Sequence, residues 1–208
     1  MRGVMAGLAV VVCLLVPSTA QAQQSEVVSL LQELVRVNTS NPPGNEAQVA
    51  ELLAPRLRAL GFEVEIIQTP TAGKAHLVAR LRAANPTERP ILLAGHADVV
   101  GVEPNLWTFE PFGGTISGDF LLGRGALDFK GGLAAFTVAA MNLARSGAAL
   151  KRDVILLAEA DEEGGSYGTR WLADNHWEKI DAGVSLNEGG WIFKDGQGRP
   201  RLLGITTI

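Results

Sequence analysis

The sequence predicts an α/β domain with a central mixed β-sheet flanked by helices. Strand-type and helix-type segments alternate along the chain, as they do where helices cross over between strands of one sheet. Two short apolar runs, residues 91–94 and 154–158, have the continuous hydrophobicity of strands buried on both faces. Between such runs, apolar residues recur at helical spacing, first at Val27, Val28, Leu30, Leu31, Leu34 and Val35.

Ser25 precedes that first helical pattern as an N-cap. Residues 38–44, with Pro42-Pro43, form a turn cluster, and a second helix is expected over residues 46–60, closed by Gly61 and blemished by Pro55. Phe62, Val64 and Ile66 alternate as a strand, residues 76–81 form another, and 91–94 a third. Ser117-Gly118-Asp119 is a turn between two short hairpin strands. Residues 131–145 read as a helix that is apolar nearly all round, and the strand at 154–158 is followed by a short helix at 169–173. Residues 184–186, read as a further buried strand, and 202–208 complete the strands, with no internal repeat and no low-complexity segment.

The 208 residues are 47% hydrophobic and 19% charged with a formal net charge of −4, a balance that excludes disordered and collagen-like chains. No Lys/Arg-rich run occurs, so no nucleic-acid partner is expected. Residues 1–22 read as a secretory signal peptide: Arg2, an apolar run over 4–16, then Pro17 and the small-residue motif Ala20-Gln21-Ala22. The apolar run falls short of the roughly 20 residues that span a bilayer, so the chain is expected to be secreted or periplasmic, cleaved after Ala22, with no membrane association afterwards. Cys13, the sole cysteine, would leave with the signal, so any metal must be held by His, Asp and Glu. The 24 glycines cluster near acidic residues in the second half, which anticipates tight turns at a site.

The chemistry collects at strand ends. The run at 91–94 leads through Gly95 into His96-Ala97-Asp98, at the sheet edge where α/β proteins place ligands. His96 and Asp98 share a face if strand geometry persists, and a carboxylate reaching the second imidazole nitrogen would fix the tautomer of a metal-bound histidine. On its own the pair is a weak signal and reads more readily as a capped strand end with a solvated Asp. The strand at 154–158 ends in Glu159-Ala160-Asp161-Glu162-Glu163-Gly164-Gly165, where crowded carboxylates need solvent or a cation. Residues 184–186 run into Asn187-Glu188-Gly189-Gly190, and Asp128 stands at the entrance of the apolar helix. Repetition of this arrangement favours a shared site over separate solvated loops. Zinc accepts carboxylate and imidazole together, and Asp128 is the natural bridge for a pair of ions.

In order along the chain, Thr39-Ser40-Asn41-Pro42-Pro43-Gly44, Gly95-His96-Ala97-Asp98-Val99-Val100, Trp107 with Pro111-Phe112, Gly123-Arg124-Gly125-Ala126-Leu127-Asp128-Phe129-Lys130-Gly131-Gly132, Asp161-Glu162-Glu163 and Asn187-Glu188-Gly189-Gly190 resemble the zinc exopeptidase and amidohydrolase family. That family includes acetylornithine deacetylase, succinyl-diaminopimelate desuccinylase, aminoacylase and glutamate carboxypeptidase. The resemblance implies a zinc exopeptidase-like catalytic domain over residues 23–208. It implies that His96, Asp128 and Glu188 hold one metal and Asp128 and Glu163 the other, with zinc, or alternatively cobalt, as the ion. Asp98 would orient His96. Glu162 would act as general base, deprotonating a water that bridges the metals and attacks the amide carbonyl, then passing the proton to the leaving nitrogen. The implied substrate is a small peptide or an N-acyl amino acid.

Phe129 stands where the family often has methionine, and Gly101 where a proline commonly follows the Val-Val pair. The resemblance also implies a late histidine ligand and an inserted lid and dimerisation domain, neither of which occurs in these residues. The expectation is therefore the N-terminal portion of a catalytic domain, without the lid and its homodimer contact, binding one zinc more tightly than a second and impaired as a 208-residue chain. The alternative is a non-catalytic exported remnant or binding module that keeps the fold. His76 reads as an edge or packing residue and His176 as a helix-end residue, and Trp107 and Phe112 as packing rather than pocket side chains.

Overall fold

A computed structural model describes residues 25–204, apart from 166 and 190. The expected signal peptide, Cys13, Gly190 and the last part of the expected strand at 202–208 lie outside the described residues. Helix α1 (Glu26–Arg36) starts where the Ser25 hydroxyl accepts the Val28 main-chain N–H at 3.4 Å. Helix α2 (Glu46–Arg58) stops slightly short of the expected end, and Gly61, at φ +83°, makes the left-handed turn into the sheet.

Strands β1 (Glu63–Gln68), β2 (Ala75–Leu81) and β3 (Ile91–His96) follow, then the hairpin β4 (Thr115–Ser117) and β5 (Phe120–Leu122). Helix α3 (Lys130–Ser146), β6 (Val154–Glu159), α4 (Tyr167–Ile180), β7 (Val184–Leu186) and a second hairpin, β8 (Trp191–Lys194) with β9 (Pro200–Gly204), complete the order. The main sheet runs β1-β2-β6-β3-β7. It is mixed as expected: β2 is antiparallel to β1 and β6, while β3 is parallel to both β6 and β7. Three carboxyl ends therefore meet at one edge.

Alternation along the strands builds a core on each face. Leu77, Leu93 and Leu156 pack with Leu34 of α1, Leu53 and Leu57 of α2 and Leu133 of α3. Val78, Leu92, Ile155 and Leu157 face the other way, onto Leu172 and Ile180 of α4. Each such leucine contributes about 1.5–3 kcal/mol by leaving water.

Three expectations need correction. The helix at 169–173 is the inner part of the longer α4, because Leu172 and Ile180 fall on one buried face, with non-helical backbone at His176. β7 is not buried: it is an outer strand of the described sheet, leaving Val184 and Leu186 exposed. β9 begins before residue 202 and pairs with β8, a strand the sequence reading missed. The turn between them is set by Asp195, whose carboxylate accepts the main-chain N–H groups of Gln197 and Arg199, both at 2.9 Å.

Candidate metal centre

The parallel pairing of β3 and β6 puts His96 beside Glu159 in register, and β7 ends just before Asn187-Glu188. A cavity of about 180 Å³ opens at this edge, lined by His96, Glu159, Glu162, Thr169, Asn187 and Glu188. Asp128 arrives from the loop ahead of α3, so that His96 Nε2 lies 3.0 Å from Asp128 Oδ1 and 3.6 Å from Glu188 Oε2. The ligand atoms of His96, Asp128 and Glu163 lie within 4.8 Å of one another, and so do those of His96, Glu162 and Glu188. The structure thus brings the four expected ligands and the expected base around one imidazole, but grouped differently from the expectation: Asp128 falls with Glu163 beside His96, and Glu188 falls with Glu162.

The protonation pattern shows what the cluster demands. His96 is buried, and its Nδ1 lies 2.8 Å from the main-chain oxygen of Asp98, which can only accept a hydrogen. With the proton on Nδ1, Nε2 is a lone-pair donor facing two carboxylates, and acceptors this close require a proton or a cation between them. Burial opposes charge on His96, yet the hydrogen-bonding carboxylates of Asp98 and Asp128, with Glu188, outweigh it and lift its pKa to about 10. Burial and neighbouring carboxylates push Glu163 and Glu188 upward, against the pull of His96. Burial likewise raises Glu159, against the hydrogen bond it accepts from Thr169 Oγ1 at 2.9 Å. A cation held beside His96 would offset this crowding of carboxylates, and the imidazole and carboxylate donors suit zinc.

Asp98 contacts His96 differently from the sequence expectation. Its main-chain oxygen makes the close contact, while its carboxylate Oδ1 lies 3.5 Å from Nδ1. The fully buried carboxylate instead accepts the main-chain N–H of Glu162 at 3.1 Å and of Glu163 at 2.9 Å, and Asn41 Nδ2 at 2.7 Å. Burial raises Asp98, but the nearby His96 imidazole and the hydrogen bonds from Asn41 and Glu162 prevail and hold it below the ordinary aspartate value.

The residues after Asp128 fix the approach of its loop. The Phe129 ring stacks on His96 with centroids 6.0 Å apart, in space left by two glycines: a Cβ at Gly95 would meet the ring at 2.9 Å and one at Gly132 at 2.1 Å. Lys130, fully buried, donates to the main-chain oxygens of Leu34 at 3.0 Å and Val37 at 2.7 Å, tying the start of α3 to the end of α1.

The other histidines stay out of the cluster. His76 lies in the interior strand β2, accepts the Ala160 main-chain N–H at 3.1 Å through Nδ1 and donates from Nε2 to the Gly168 oxygen at 3.0 Å, so it packs and is not an edge residue. Burial lowers its pKa to about 4. His176 sits inside α4 against Trp171, with centroids 5.2 Å apart. Trp107 packs edge-on to Phe109 at 5.2 Å with the Arg124 guanidinium over its ring, and both Trp107 and Phe112 are half-buried. Sequence reasoning missed Asn41 and Glu159 as members of the site. Asn41 lay inside a quoted motif, and Glu159 was legible as the inward residue two past Leu157.

An α/β domain with an imidazole and a ring of carboxylates at the carboxyl edge of its parallel strands has the build of a metal-hydrolase catalytic domain. Residues 92–198 match the domain described as peptidase family M20/M25/M40, and the chain belongs to this family. It is 38% identical over 141 residues to a succinyl-diaminopimelate desuccinylase of Methylocella silvestris, covering 66% of this chain and 35% of that protein. It is 32% identical over 166 residues to a probable succinyl-diaminopimelate desuccinylase of Staphylococcus epidermidis, covering 79% of this chain and 40% of the relative. Among solved structures, an M20 family metallo-carboxypeptidase of Sulfolobus solfataricus superposes with a TM-score of 0.71 at 28% identity, over 85% of this chain and 40% of its own. The chain thus spans well under half the length of these relatives.

Proposed function

We propose that this chain carries the metal-binding and proton-transfer residues of a metal-dependent hydrolase that cleaves the amide bond of N-acyl amino acids or short peptides. The observation that carries the reading is the convergence of His96 Nε2 with the carboxylates of Asp128 and Glu188, an arrangement that a divalent cation satisfies. His96, Asp128, Glu163 and Glu188 would hold zinc, which when bound supplies Lewis-acid polarisation of a carbonyl and acidification of a water. Glu162 would take one proton from the attacking water as the C–O bond forms and return it to the amide nitrogen as the C–N bond breaks. The main-chain hydrogen bond from Glu162 to Asp98 supports this role, since it fixes the backbone beneath the carboxylate.

The names of the relatives, a desuccinylase and a carboxypeptidase, support a substrate with a hydrolysable amide next to a carboxylate. Assay of N-succinyl and N-acetyl amino acids and dipeptides, with and without chelator, tests the proposal. Turnover that chelation abolishes and zinc restores supports it, and turnover indifferent to chelation overturns it. We further propose export through residues 1–22. Mass spectrometry of the chain made in a bacterial host should find Gln23 as the first residue of an extracytoplasmic product, and an intact Met1 terminus would contradict this.

A further inference from the structure

We propose that Asn41 and Lys74 are positioning residues of this site, holding through Asp161 and Asp98 the turn that carries Glu162 and Glu163. The inference rests on the metal-hydrolase reading above and extends it to side chains that touch neither metal nor substrate.

Asp161 is the one non-glycine residue at positive φ among those described, at +63°, where the chain leaves β6 and reverses toward the cavity. Aspartate is among the few residues other than glycine that adopt this conformation, and here its main chain and side chain are both held by neighbours. Its main-chain N–H is accepted by Glu46 Oε1 at 3.3 Å. Its Oδ1 accepts an ion-paired hydrogen bond from Lys74 Nζ and a second from Asn41 Nδ2 at 2.7 Å. The other Nδ2 hydrogen of Asn41 goes to Asp98 Oδ2 at 2.7 Å, and its Oδ1 accepts Lys74 Nζ at 2.9 Å. Every polar atom of the Asn41 side chain is thus used, and the amide bridges two buried carboxylates that would otherwise repel.

Both partners are delivered by main-chain structure. Residues 39–41 run beside the segment after β3: Asn41 N–H donates to the Val99 oxygen at 2.8 Å and Val99 N–H to the Thr39 oxygen at 3.1 Å. Lys74 stands immediately before β2. The cluster is packed too closely for side chains at its glycines. A Cβ at Gly164 would meet Asp161 Oδ1 at 2.4 Å and Asn41 Nδ2 at 2.7 Å, and one at Gly44 would meet Lys74 Cε at 2.8 Å. The far end of the network is the Asp98 carboxylate that receives Glu162 and Glu163, so displacement of Asp161 is passed to the base and to one ligand.

The test compares the parent chain with Lys74→Met, which removes the charge at similar length, and with the double variant Lys74→Met/Asp161→Asn, which removes both charges and keeps a residue that tolerates positive φ. Zinc affinity by calorimetry and the visible absorption of the cobalt-loaded chain are read alongside thermal unfolding. The expected result is a tenfold or greater loss of zinc affinity and an altered cobalt spectrum in Lys74→Met, with partial recovery in the double variant. A Lys74→Met chain that melts lower but binds zinc with parental affinity and spectrum has lost only stability, and overturns the inference. If Lys74→Met does not fold, Asn41→Ser, which keeps the Lys74 and Asp161 ion pair, carries the same readouts and the same criteria. A parent chain that binds no zinc would sink the metal reading itself, whereas an unaltered variant beside a zinc-binding parent sinks only the positioning role.

Discussion

His96 and Asp128 are 32 positions apart in sequence, yet their side chains meet at 3.0 Å, where the end of β3 faces the entrance of α3. Neither atom of that contact carries a hydrogen when His96 is protonated on Nδ1. The cluster is therefore built around a missing positive charge, which a proton supplies in the metal-free chain and zinc in the proposed holoenzyme.

Glu162 lines this cavity, and the proposed function makes it the base and not a ligand. Glu162→Gln should leave zinc affinity within a few-fold of the parent and lower whatever amide hydrolysis the zinc-loaded chain sustains by about 10²–10⁴-fold, the usual loss when a general base is removed. Parallel calorimetry and turnover measurements check it. A variant that loses zinc and activity together would make Glu162 a ligand instead.

The Phe129 ring fills the space above two glycines. Gly132→Ala should destabilise the chain by about 1–3 kcal/mol in urea unfolding, because overpacking exceeds the roughly 1 kcal/mol an alanine gains in a helix. In a Phe129→Ala background the same change should become neutral or stabilising. A Gly132→Ala cost that persists without the ring would show that the contact is not its cause.

Glu46 is fully buried, with Oε2 lacking a hydrogen-bond partner, and burial pushes its pKa up to about 7. The folded state thus holds this proton more tightly than the unfolded chain, whose carboxyl titrates near 4.5. The contribution is complete below pH 4.5 and is lost as pH rises through about 7. Stability of the parent relative to Glu46→Gln should fall by on the order of 1–3 kcal/mol between pH 4.5 and 8, read from denaturant unfolding of the metal-free proteins. A difference that is constant across that range would place the Glu46 pKa near its ordinary value.

The strands that set the site were legible because burial on both faces leaves an apolar run, as at residues 91–94 and 154–158. His96, Asp128, Glu162, Glu163 and Glu188 were legible because each follows such a run or opens a helix. Lys74 was not, since a lysine ahead of a strand looks like a solvated end until Asp161 folds over it. β7 misled for the opposite reason: Val184 and Leu186 have the composition of an interior strand, but composition does not reveal whether a neighbour covers it. The role of Asp98 was half visible. Its spacing from His96 promised a contact, whereas its carboxylate was drawn to the main-chain hydrogens of Glu162 and Glu163, a partnership set by the turn at Asp161.

Zinc titration of the metal-free 208-residue chain by calorimetry tests the central claim most directly. In the proposed assignment His96, Asp128 and Glu188 would offer one ion an imidazole and two carboxylates, whereas a second ion would have carboxylates alone from Asp128 and Glu163. The expected isotherm has one tight site and a second at least about tenfold weaker, a gap of roughly 1.4 kcal/mol. His96→Ala should abolish the tight site, and Glu162→Gln should preserve it. Two equally tight sites would contradict the unequal ligand sets, and the absence of zinc binding, or tight binding that survives His96→Ala, would contradict the metal centre itself.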